Sequence, residues 1–150
     1  MQVKPIWQEI PDFVSMARKI IEKYPQYFSG IDADWLVAYG VVNKDRPKGK
    51  SKPYEMSGEK EPECFTNSKK YFIKFYMSEW EARNEEGKYW LVISALERID
   101  HETPESGKVA GYDYKDQCRL VRTLGPDWHS RGNLPHPLRS TIELVDKGDQ

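Results

Sequence analysis

The chain holds three histidines, His101, His129 and His136, and two cysteines, Cys64 and Cys118, in 150 residues. A metal centre or a covalent nucleophile would be drawn from these side chains, so their spacing comes first. Cys64 and Cys118 are too few and too far apart for a zinc pair or a disulfide framework, and as lone thiols they read as small buried hydrophobes in a reducing compartment. Asp100, His101 and Glu102 are consecutive and cannot converge on one ion from a regular helix, while TPESGK after them has the composition of an exposed turn. His129 and His136 lie in DWHSRGNLPHPL, an irregular stretch broken by Pro135 and Pro137. Without a positioned carboxylate they read as surface or packing residues, with a relocated metal site at His101, His129 and His136 as the alternative. There is no P-loop, no GxGxxG and no nucleophile elbow. The expectation is no catalytic residue, no metal and no cofactor.

One helix holds polar groups at a spacing that chemistry uses. In YWLVISALERIDHE, residues 89–102, a rotation of ~100° per residue puts Tyr89, Val92, Ile93, Leu96 and Ile99 on one face. Ser94 and Arg98 stack one turn apart on the other, with Trp90 and Leu91 beside them near the helix start. A core-facing side and a polar pair opposite suit either a cleft-lining helix or an ordinary solvated face.

The elements that must position this helix follow from periodicity. Phe13, Met16, Ala17, Ile20 and Ile21 recur at helical spacing after Asp12, a candidate N-cap, and Pro25 ends the run. DWLVAYGVV reads as a strand over 35–42, weakened by Gly40. Residues 43–70 are polar and interrupted by Pro47, Gly49, Pro53, Gly58 and Pro62, so they read as a long basic loop with short ordered pieces. KYFIKFYM alternates, with Tyr71, Ile73 and Phe75 on one face and Phe72, Lys74 and Tyr76 on the other; it is the clearest strand. Ser78 is placed as the cap of a short helix, SEWEARNEE, with Glu79 and Glu81 near its positive end. The whole is one α+β domain over 1–150, ending in a flexible C-terminal tail.

A chain of this length buries roughly two thirds of its unfolded surface and needs no staple. Its start lacks the apolar core of a signal peptide, and no run approaches the ~20 apolar residues of a membrane span. A soluble, cytoplasmic protein without membrane contact is expected. The formal net charge of −1 excludes a strong overall pull on nucleic acid or anionic lipid.

The order of helix, KYPQYF, DWLVAYGVV, basic loop, KYFIKFYMSEW, short helix and GKYWLVISALERID resembles a zincin-like family of small metallopeptidases from phages and prophages. The resemblance runs over residues 15–138 and continues through GYDYKDQCRLVRTLGPDW. It implies a zincin-like fold in which a small sheet packs against an active-site-type helix and further helices. It also places the family's HExxH motif on this helix and its third histidine on a later one. By that placement the first histidine falls on Ser94, the glutamate on Ala95, the second histidine on Arg98 and the third on Tyr112. The chemistry requires two imidazoles at i and i+4 on one zinc and a carboxylate to take a proton from bound water. Serine, alanine, a permanent cation and tyrosine supply none of it. The resemblance therefore implies a pseudoenzyme, in which Ser94, Arg98 and Tyr112 form a hydrogen-bonded cluster and Arg98 pairs with Asp113 or Asp116. If that pair is buried, Arg98→Ala is predicted to cost ~3 kcal/mol.

Two binding roles remain. In the first, a protein partner, such as a host or defence factor in a bacterial cell, adds a strand along KYFIKFYM, with Tyr71, Ile73, Phe75, Trp80 and Trp90 (and Tyr112) as contacts. In the second, Lys44, Arg46, Lys48, Lys50 and Lys52, five basic residues among nine with Asp45 the lone acid, meet nucleic-acid phosphates. The acidic Glu59, Glu61 and Glu63 nearby offset that attraction, so the protein partner is the preferred reading.

Overall fold

The structure, a computed structural model, describes residues 4–45, 54–59, 68–100, 103–109, 120, 123–124, 128 and 133–138. It is an α+β fold in which four strands form one sheet and the helices pack on one of its faces. In chain order the elements are β1 (Trp7–Glu9), α1 (Pro11–Lys23), α2 (Pro25–Phe28), β2 (Leu36–Val41), β3 (Tyr54–Gly58), β4 (Tyr71–Tyr76), α3 (Met77–Glu81) and α4 (Glu85–Glu97). Short 3-10 turns at Ala33–Trp35 and Pro104–Ser106 complete them.

The sheet order is β1-β2-β4-β3, with β2 and β4 parallel at the centre and both outer strands antiparallel to their neighbours. β4 buries Tyr71, Ile73 and Phe75 and turns Phe72, Lys74 and Tyr76 the other way, as its alternation predicts. Phe13 of α1, Phe75 of β4 and Trp80 of α3 meet with ring centroids 4.9 to 6.1 Å apart, which locks both helices to this face. Gly40 makes room for α3, because a Cβ there would come within 2.6 Å of the Met77 methyl.

Several expectations are corrected. The stretch read as a long loop with short ordered pieces holds one such piece not expected as a strand, β3, where Tyr54 and Met56 alternate with Glu55 and Ser57. Asp12 is not the cap of α1: Pro11 occupies the first turn and Ile10 the cap position, without a side-chain bond. Ser78 lies within α3, where its hydroxyl meets Asp45 at 3.1 Å. α4 starts earlier than expected, capped by the Asn84 side chain accepting from the Gly87 N–H.

The largest correction concerns the faces of α4. Every residue from Tyr89 to Glu97 is buried, Ser94 and Glu97 included. A helix without a wet side is a central core helix, enclosed all round. α1 packs along it, and Leu120, Leu124, Trp128 and Leu134 join the same core from the C-terminal part of the chain.

Candidate functional site

The site to be tested is the polar side of α4. Ser94 has no exposed surface, and its hydroxyl lies 2.7 Å from the Tyr54 hydroxyl. Tyr54 is itself buried on the first residue of β3, with its ring 5.7 Å from that of Phe75. Arg98 is half-buried as the C-cap of α4, and its guanidinium carbon stands 5.8 Å from the centre of the Tyr54 ring. One tyrosine thus covers both Ser94 and Arg98. Ala95 is buried in the core. Tyr112, Asp113 and Asp116, the other members of the expected cluster, lie outside the described residues.

Tyr54 was missed in the sequence because it sits 40 residues from Ser94 in a polar stretch. The available signal was the short alternation of YEMS after Pro53.

The proposed anchors are framework. Tyr71, Ile73, Phe75, Trp80 and Trp90 are all at most 4% exposed. β4 lies between β2 and β3, so both of its edges are taken, and strand addition along it is ruled out. An alternating strand looks alike whether it is central or terminal, since register depends on neighbours distant in sequence. Tyr71 also holds a loop: its hydroxyl donates to the Pro104 carbonyl and accepts from the Gly107 N–H. The indole of Trp90 donates to the Pro135 carbonyl at 2.7 Å.

Of the histidines, His136 is described and is a packed core residue. Its Nδ1 accepts from the Leu138 N–H at 3.2 Å, which puts the ring proton on Nε2, 3.3 Å from a Glu85 oxygen. The ring lies against Tyr89 at 4.9 Å. Nδ1 is thereby engaged, whereas Nε2 stands near Glu85 without hydrogen-bond geometry. His101 and His129 lie outside the described residues. Among the described residues no three His, Cys, Asp and Glu side chains are grouped to hold a metal ion. Of the basic run, Lys44 is described and exposed, whereas Arg46, Lys48, Lys50 and Lys52 fall outside.

A surface groove of about 450 Å³ opens elsewhere, between α1 and the 3-10 turn, floored by Ile21, Ile31 and Ala33. The exposed Arg18–Asp34 pair at 2.7 Å stands beside it.

Fold and site define a four-stranded α+β domain built round a buried helix whose polar side is closed by a tyrosine. No protein-family model, curated protein or solved structure matches the chain. No helix among the described residues is long and apolar enough to cross a membrane.

Proposed function

We propose that the chain is a non-catalytic protein-binding domain, a degenerate relative of the zincin-like metallopeptidases of phages and prophages, acting on a host or defence factor. The observation that carries this reading is the Tyr54–Ser94 bond. A serine hydroxyl and a guanidinium stand at the helix positions where that chemistry needs imidazoles, and Tyr54 of β3 meets both.

Partner capture by strand addition belongs on β3 rather than β4. Among the described residues β3 ends the sheet, and it adjoins the polar side of α4 through Tyr54. The Glu59 N–H bonds to the Lys70 carbonyl, so in the alternating ladder Glu55 and Ser57 face β4 and Met56 turns its backbone outward. An extended segment of a partner would bond to that edge, gaining affinity from main-chain hydrogen bonds.

The test is capture from bacterial lysate by the tagged chain and by its Met56→Pro variant. Proline there removes an outward donor and leaves the β4 ladder intact. A partner retained by the parent chain and lost by the folded variant supports the reading. A partner held equally by both, or peptide hydrolysis that purified chain performs with zinc, overturns it.

A further inference from the structure

The opposite edge of the sheet has an occupant written into its own sequence. Among the described residues β1 is the other terminal strand. Ile6 accepts from the Val42 N–H and Ile10 donates to the Ala38 carbonyl, so the even-numbered residues face β2. Trp7 and Glu9 therefore point their N–H and C=O groups away from the sheet.

Three features set this edge apart. Ile6, Trp7 and Val42, 59%, 46% and 46% exposed, are the exposed large hydrophobics among the described residues, and all three lie at β1 or beside it. They occupy both faces of the sheet: Trp7 lies on the side of Lys74, whose ammonium is 5.8 Å from its ring, and Ile6 on the opposite side. Apolar groups on both faces mark an interior strand rather than a terminal one. Finally, Pro5-Ile6-Trp7-Gln8-Glu9-Ile10-Pro11 is a near-palindrome centred on Gln8.

We propose that β1 pairs antiparallel with β1 of a second copy about a two-fold axis at Gln8, joining two four-stranded sheets into one. In that register Pro5 faces Pro11, Ile6 faces Ile10, and Trp7 faces Glu9 of the other copy. Trp7 and Glu9 exchange both of their outward donors and acceptors with the copy's Glu9 and Trp7. At each end of the paired stretch Pro5 of one copy comes opposite the start of α1 of the other, where Pro11 likewise has no N–H to leave unpaired. Ile6 is covered on one face and Trp7 on the other, while Glu9 arrives beside the Lys74–Trp7 pair with the complementary charge. An isologous contact of this kind closes at two copies, with the β1 edges of both used up and β3 at each end of the joined sheet.

Sedimentation velocity over a wide concentration range, on the wild-type chain and on Glu9→Pro, tests the proposal. The proline deletes an outward donor and no bond to β2, so its far-UV spectrum should match wild type. A dimer in the wild type that is lost in Glu9→Pro is the expected result. Independently, Gln8→Cys should form an intermolecular disulfide that peptide mapping places at position 8 of both chains. Residues facing across the axis sit about 4.5 Å apart at Cα, within disulfide reach. A monomer at every concentration, a dimer that survives Glu9→Pro, or bridging through Trp7→Cys in preference to Gln8→Cys would overturn the pairing.

Discussion

The hydroxyls of Tyr54 and Ser94 meet at 2.7 Å inside the protein, tying strand β3 to the central helix α4 across 40 residues of sequence. A hydrogen bond in so dry a place matters mainly for what its loss leaves behind. Tyr54→Phe and Ser94→Ala should each cost about 1–3 kcal/mol. The double variant should cost less than the sum, since both changes delete one bond. Urea unfolding of the four chains measures the coupling, and strictly additive costs would show that the two hydroxyls do not act together.

A second test concerns the crossing of β3 over the 103–109 loop. A Cβ built on Gly58 would collide with the Gly107 carbonyl, and one on Gly107 with that of Glu59. Gly107 also has φ +80°, a conformation that strains other residues. Backbone on both sides leaves nothing flexible to yield. Gly58→Ala and Gly107→Ala should therefore each lose at least about 2 kcal/mol. Gly30→Ala, whose Cβ would meet only the Pro104 ring at 3.2 Å, serves as the milder control. Denaturant midpoints rank the three.

His136 provides a third test. It anchors residues 133–138 between Tyr89 and Glu85, while Tyr24 donates to the Pro137 carbonyl from α1's C-terminal end. His136→Ala removes the acceptor for the Leu138 N–H and should cost about 1–3 kcal/mol. His136→Asn, whose side-chain oxygen can accept in place of Nδ1, should recover part of it. Equal losses in the two variants would mean that ring packing, not the hydrogen bond, does the anchoring.

Metal content separates the proposed function from a peptidase. Chain purified without chelator or histidine tag should carry well under ~0.1 equivalent of zinc by plasma mass spectrometry. Zinc should also leave the unfolding temperature unchanged, because a tight site at 100 times its Kd would add about 2.7 kcal/mol. One firmly held zinc would restore the peptidase reading and move attention to His101 and His129.

Local pattern alone determined much of this protein. Phe13, Ala17 and Ile20 repeat at helical spacing and are buried in α1; Tyr71, Ile73 and Phe75 repeat at strand spacing and are buried in β4. Both signals sit within one element, where a side chain's direction follows from backbone geometry. What surrounds an element is not encoded in its period. The alternation of β4 did not reveal that strands lie on both sides of it, nor the helical rhythm of α4 that Ser94 and Glu97 point into covered space. Those facts depend on β3 arriving from a polar stretch and placing Tyr54 over Ser94. Only the tertiary structure could decide them, because whether a polar side chain is wet or buried depends on partners remote in the chain.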